Sequence, residues 1–261
     1  MKKILIALLA TTLVFSVQAQ AKQDKELKDN DVNIVDATQK GWQIRIGAGY
    51  LLGGTAPLPL PVEIRGINGF NPGLNLSLEG SVEKKFNNTN WGLQFGLRFD
   101  TKGMTTNAIT KNYYMEMQNP DGSNIVGSWY GSVKTHVSNT YISVPVLATY
   151  SINRRWTVGA GLYASYLLNG IFDGEAFNGY IRDQGPTGEK LEIDNAEYNF
   201  SNDLQKFHWG IQVGGEYKIY THLAVFANLQ WGINGIFPKG YSCIPFALKP
   251  IYATLGFNYI F

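Results

Sequence analysis

The sequence predicts an all-β protein: an eight-stranded antiparallel up-and-down transmembrane β-barrel with long external loops and short periplasmic turns. Three observations predict it. Segments of about ten residues alternate apolar with small or polar side chains, the period of a strand with two unlike faces. Their length matches the ~9–11 residues of a tilted strand crossing a bilayer rather than the ~5–6 usual in soluble sheets. The connections alternate long and short, as in barrels with one end facing the cell exterior and the other the periplasm.

Taken in order, the 261-residue chain opens on Lys2, Lys3 and the apolar run ILIALLATTLVFSV. This reads as a secretory signal peptide over residues 1–21, with Val17-Gln18-Ala19 and Ala19-Gln20-Ala21 both acceptable for cleavage. The run is too short for a membrane anchor. Residues 22–40 are charged, without aromatics or periodicity, and are expected to form a flexible periplasmic leader. The barrel domain is then expected over residues 41–261.

Its first strand sets Trp42, Ile44, Ile46, Ala48 and Tyr50 against Gln43, Arg45, Gly47 and Gly49. A Pro/Gly-rich loop follows. The second strand opposes Leu74, Leu76, Leu78 and Val82 to Ser77, Glu79, Ser81 and Glu83, and the third opposes Trp91, Leu93, Phe95, Leu97 and Phe99 to Gln94, Arg98 and Asp100. Residues 104–139 read as a long insertion, of which IVGSWYGSVKTHV has β character and would extend the neighbouring strands as a hairpin. TYISVPVLATY is the fourth strand, with a bulge expected at Pro145. The fifth runs from Trp156 to Leu168, and residues 169–205 read as a third long loop. The sixth and seventh strands, Phe207–Ile219 and Leu223–Ile233, are joined by a very short turn. After a last loop, PIYATLGFNYIF closes the barrel against the first strand. A soluble lipocalin-like barrel would turn its apolar face inward and present charges to water. Here the second face is mostly Gly, Ser, Asn and Gln, which suits a narrow lumen.

TYISVPVLATY, then GAGLYASYLLNG, FHWGIQVGGEYKI and the final GFNYIF resemble, in order and spacing, the small outer-membrane barrels of the Bacteroidota, the PorT-like or "porin family" proteins. The likeness covers Trp42 to Phe261 apart from the loops. It implies an outer-membrane location and a barrel fold, and little chemistry. As in outer-membrane barrels generally, Phe257, Tyr259 and Phe261 resemble the aromatic signal read by the barrel-assembly machinery.

With the apolar face in lipid, Arg45, Glu79, Glu83, Arg98, Asp100, Glu216 and Lys218 fall on the lumen face. An eight-stranded barrel is just wide enough for side chains to fill, so these charges are expected to pair as a plug. Arg45, Glu79 and Arg98 are candidates for one ladder, with Glu216 and Lys218 joining across the lumen. A proton or ion path through them is the alternative.

An enzyme is not expected. Of three histidines, only His208 has an acid close in sequence, Asp203, and one such pair is a weak signal. No cofactor is expected, and no metal, since the chain has neither a His-x-His nor a cysteine cluster. Cys243 is the single cysteine and has no partner for a disulfide. Once Lys2 and Lys3 are removed, the 22 basic residues become 20 against 20 acidic. No nucleic-acid partner is expected, since such a partner requires a concentrated basic surface and nothing in this balance suggests one. The expected partners are outer-membrane lipid, the assembly machinery and an external ligand or protein met by the loops, where Tyr113, Tyr114, Trp129 and Tyr130 stand out as anchors. A monomer is expected. The sequence points to structure, adhesion or partner docking, with a narrow porin-like channel as the alternative.

Overall fold

The computed structural model describes residues 41–118, 124–183, 187–241, 243–244 and 246–261. The expected signal peptide, 1–21, and leader, 22–40, lie outside them. Ten strands follow in chain order: β1 (Trp42–Pro57), β2 (Ile64–Asn71), β3 (Leu76–Lys85), β4 (Trp91–Gln118), β5 (Asn124–Ser151), β6 (Trp156–Asp183), β7 (Lys190–Asn199), β8 (Phe207–Lys218), β9 (Leu223–Gly232) and β10 (Leu248–Ile260). Eight of them form a closed antiparallel ring in the order β1-β3-β4-β5-β6-β8-β9-β10, returning to β1. The closing seam runs from Arg45↔Ile260 to Pro57↔Leu248, and the Phe261 amide donates to the Ile44 carbonyl at 2.9 Å. A closed ring leaves no unpaired backbone edge in lipid.

The two faces sort as the period of two requires. Ile44, Ile46, Leu78, Phe95, Leu97, Val144, Leu162, Ile211, Val213 and Leu255 point outward and are exposed on the ring's exterior. Gln43, Arg45, Ser81, Glu83, Arg98, Asp100, Ser143, Gln212 and Thr254 point inward and are buried. A lipocalin has the reverse arrangement. Aromatic pairs mark the short-turn end, with Trp91 on Tyr150 (centroids 5.0 Å apart) and Trp156 on Tyr217 (4.9 Å). Such rings suit the membrane–water interface, where one side of the ring is dry and the other wet.

The lumen is tight enough to demand glycine. A Cβ at Gly47 would collide with the Asn258 amide, and one at Gly214 with Asn228. At Pro145 the expected bulge does not occur. The register passes unshifted from Phe95↔Val146 to Arg98↔Ser143, and only the ladder bonds lapse between them. Gly96 on β4 makes this tolerable, since a Cβ there would lie 3.0 Å from the proline ring.

The largest departure from the sequence reading lies above the membrane. Residues 104–139 and 169–205 are largely strand. β4, β5 and β6 each run 28 residues without a break, a contour of about 90 Å at ~3.3 Å per residue. At a tilt near 40° that rises about 70 Å, against a lipid-facing band of ~25 Å. β7 continues the sheet beyond β6 and touches the end of β4 at Gln118↔Glu197, on the edge of β4 away from β5, along which β2 also pairs. These long strands hold their pairing through bulges at Lys111/Tyr113, Tyr130/Ser132 and Thr140/Tyr141. Asn112 and Asn178, at two of these, take the left-handed conformation (φ 58° and 53°) that asparagine tolerates.

Along the inner face, chemistry changes at Met104. Below it the lumen is polar. Above it the same face carries Met115, Trp129, Val133, Val137, Ala176 and Ile181, which pack with Ile193, Phe200 and Phe237 into an apolar core. The molecule is therefore polar inside within the membrane and apolar inside beyond it, each compartment inverted to suit its solvent.

Candidate functional site

The lumen charges are set on the strands of the ring by simple alternation, and the structure gathers them into two layers rather than one ladder. In the layer nearer the short turns, Arg45 pairs with Glu83 on β3 and reaches toward Glu216 on β8, with Nε 3.5 Å from Oε1. Thr149 donates to Glu83, Asn258 donates to Glu216 at 2.6 Å, and Lys85 donates to Ser151 at 3.0 Å. Lys218 is buried at the same end and makes no ion pair within 4 Å among the described residues.

In the second layer, Arg98 Nε lies 2.8 Å from Asp100 Oδ2, and its Nη1 lies 3.3 Å from Glu79 and donates to Gln212 on β8 at 2.7 Å. Ser77 donates to Asp100 at 2.7 Å. Glu79 thus belongs with Arg98, and Arg45 with Glu83 and Glu216; the single Arg45–Glu79–Arg98 ladder does not form. Glu79 and Glu83 are four positions apart on β3 with Ser81 between them on the same face, and that spacing puts the carboxylates in different layers. Lys102 was missed by sequence reasoning because it follows the expected end of its strand. It lies 3.6 Å from Asp100, donates to Gln230 on β9 at 2.9 Å and sits among the rings of Tyr141, Tyr163 and Tyr252, 5.4–5.6 Å from their centroids. An Asp100-x-Lys102 spacing puts both side chains on one strand face, which was the available signal.

Among the described residues, three polar contacts cross the lumen: Arg45 to Glu216, Arg98 to Gln212 and Lys102 to Gln230. They act as struts between opposite walls. The void left among Arg45, Glu79, Gln94, Thr149, Glu216 and Asn258 measures about 40 Å³, room for a water or two.

His208 and Asp203 do not pair with each other. His208 Nε2 meets the Gln205 carbonyl at 2.7 Å, and its ring stands edge-on to Tyr141. Asp203 instead accepts from the Tyr241 hydroxyl at 2.7 Å. Burial and that hydrogen bond both raise the Tyr241 phenol above its ordinary range. The close histidine–carboxylate pair is His136 with Asp173, 3.0 Å apart and half exposed on the extracellular sheet. They line an open depression of about 800 Å³ together with Lys134, Glu175, Glu197 and Tyr241.

Of the aromatic anchors expected in loops, Trp129 is fully buried in the extracellular core and Tyr113 stacks on Phe246 at 5.8 Å. Tyr130 stacks on Tyr180 at 4.9 Å, with Lys190 4.5 Å and Arg182 5.5 Å from the Tyr180 ring. This makes a flat aromatic and cationic patch across β5, β6 and β7. Phe257 and Phe261 are exposed on the ring's outside, and Tyr259 is half-buried, packing against both Phe261 and His222. Cys243 is buried, with Sγ 3.7 Å from a Glu116 oxygen.

A family model described as "Outer membrane protein beta-barrel domain" matches residues 18–238; the closing strand β10 lies beyond the matched span. Similar solved structures include Ail, the attachment invasion locus protein of Yersinia pestis, at 13% identity and TM-score 0.40, covering 85% of this chain and 99% of that one. OprG from Pseudomonas aeruginosa is similar at 12% identity and TM-score 0.33, covering 85% and 97%. The outer membrane protease OmpT from Escherichia coli is similar at 13% identity and TM-score 0.31, covering 86% and 98%. No curated protein matches the chain.

Proposed function

From the premise that this chain belongs to the outer membrane protein β-barrel domain family and resides in the outer membrane, we propose that it is a plugged, non-enzymatic barrel that holds a rigid sheet outside the cell for docking or adhesion. One observation carries this reading: β4, β5 and β6 build both the strutted lumen and the extracellular sheet as single 28-residue strands. A channel needs a continuous wet path; here Arg45, Arg98 and Lys102 bridge the lumen and leave a void of about 40 Å³. A docking element needs a surface held at a fixed height, and the apolar core behind Trp129 and Phe172 supplies the stiffness. The Tyr130–Tyr180 stack is the contact patch this reading favours, because stacked rings suit a glycan partner at little entropic cost; Arg182 lies beside it, and so does Lys190, which is paired with Glu192 at 2.8 Å. Placement among the PorT-like barrels of the Bacteroidota rests on TYISVPVLATY and GFNYIF, and the aromatic assembly signal on Phe257, Tyr259 and Phe261.

Single-channel recording in planar bilayers tests the reading. The expected trace is flat, with no discrete conductance steps. Regular steps in the native protein would overturn the plug in favour of a narrow porin-like channel.

A further inference from the structure

Just above the lipid-facing band, the wall of the molecule is incomplete. The last backbone bond from β1 toward β3 is Leu51 N to Asn75 O, at 2.9 Å. Beyond it, β1 continues as Gly53–Pro57 and pairs only with β10, while β2 pairs only with β4. Among the described residues no backbone ladder joins β1 to β2, so a seam opens between them.

The sequence prepares the inner face of that seam in an unusual way. β2 reads IRGINGF, with apolar residues at every third position. Two register shifts, at Ile64/Gly66 and Ile67/Gly69, each insert one extra residue. Ile64, Ile67 and Phe70 therefore stand opposite Thr110, Ala108 and Thr106 and share one face, the inner one. Yet Ile67 and Phe70 are more than half exposed. Inward-facing residues are exposed only if the wall beside them is open.

Behind the seam lies a cavity of about 330 Å³. Its walls are apolar, with Met104, Met115, Phe172, Phe246 and Leu248 among them. Its threshold is made by Gly54, whose missing side chain leaves room for Met104 and Phe70. Directly below the mouth, Leu52, Leu74 and Leu76 belong to the exposed apolar surface that meets lipid. Apolar side chains thus lie on both sides of the seam, exposed below its mouth and lining the cavity behind it.

We propose that this cavity is a binding site for an unbranched acyl chain, entering sideways through the β1–β2 seam. The volume suits it: a cavity of about 150 Å³ accommodates benzene, so about 330 Å³ holds roughly a dozen carbons. The thioethers of Met104 and Met115 fit a flexible guest. The seam's position at the band's edge leaves the polar end of the guest at the membrane surface.

The chain could belong to a membrane lipid or to a free fatty acid, and photolabelling separates the two. The full-length protein is refolded in phosphatidylethanolamine vesicles. One arm carries a lipid with a diazirine near the chain terminus, the other a free fatty acid with the same group. Illumination and peptide mapping are expected to place adducts on the segments holding Phe70, Met104 and Met115 in at least one arm. Ala108→Phe, which fills the cavity, should lower those adducts at least tenfold and leave labelling at Leu97 and Phe99 unchanged. Phe70→Lys, at an exposed position, should do the same if the filled variant does not fold. Adducts confined to the lipid-facing band in both arms, or cavity adducts indifferent to both substitutions, overturn the proposal. Neither result bears on whether the lumen conducts.

Discussion

Replacing Arg98 with methionine is the sharpest test of the strutted lumen. Arg98 is fully enclosed, pairs with Asp100 at 2.8 Å and with Glu79 at 3.3 Å, and braces Gln212 at 2.7 Å across the lumen. Methionine keeps much of the length and loses every polar contact. Asp100 keeps Ser77 at 2.7 Å and Lys102 at 3.6 Å. Glu79 keeps only the Gln94 amide, at 3.4 Å. One largely buried carboxylate is therefore left without a cation, and such a loss costs up to about 3–5 kcal/mol. Since each ~1.4 kcal/mol is a factor of ten in an equilibrium constant, the folded-to-unfolded ratio should fall by about two to three and a half decades. Urea titration of protein refolded in vesicles, followed by tryptophan fluorescence, reads this directly. Adding Glu79→Gln to Arg98→Met should recover at least half of the loss, because the orphaned charge is gone. As a control, Lys134→Met breaks a half-exposed pair with Glu175 (3.7 Å) and should cost less than about 1 kcal/mol. If Arg98→Met costs no more than the control, or if the two lumen substitutions simply add, the charges are passengers and the strut argument fails.

Three further outcomes follow from the same geometry. Val144→Arg puts a cation on the outer face near mid-strand and should destabilise by about 2–4 kcal/mol, measured by the same titration; an unchanged midpoint would mean that face does not meet lipid. Trp129→Ala empties a site in the extracellular core at a cost of about 3–5 kcal/mol. It should expose the sheet above the membrane to protease while the heat-modifiable gel mobility of the barrel stays native, and loss of both together would show that the two compartments fold as one. Phe261→Ala removes a ring packed 4.8 Å from Tyr259 at the closing strand and should slow insertion by the assembly machinery, with protease-sensitive protein accumulating in the periplasm; native insertion kinetics would remove the aromatic-signal reading.

The membrane half of the fold was legible because lipid and a filled lumen impose opposite demands on adjacent residues. Trp42 to Ala48, or Trp91 to Phe99, can be read face by face. Above Met104 that contrast fades: the inner face turns apolar while the outer face stays mixed. Bulges then reset the parity, so that after Asn112 the inward positions move from Ala108 and Thr110 to Tyr113 and Met115. A scan for period two loses the strand there and reports a loop. β2 is the extreme case, since IRGINGF has no period of two at all until its two extra residues are known. The site was legible as a set and not as a pairing. Arg45, Glu79, Glu83, Arg98, Asp100, Glu216 and Lys218 all lie on the strand face that was expected. Which carboxylate meets which guanidinium depends on the stagger between strands, and that is set around the whole ring.

The unbroken course of β4, β5 and β6 has a mechanical consequence. A partner gripping the outer sheet and pulling away from the cell would draw along the strands, so the load falls on many ladder hydrogen bonds at once, in shear. No hinge of loose chain intervenes to absorb the pull before it reaches the membrane. The struts at Arg98 and Lys102 then work as cross-ties that keep the ring from flattening under tension. A grip held this way yields by dragging the whole barrel through lipid rather than by peeling open at its tip.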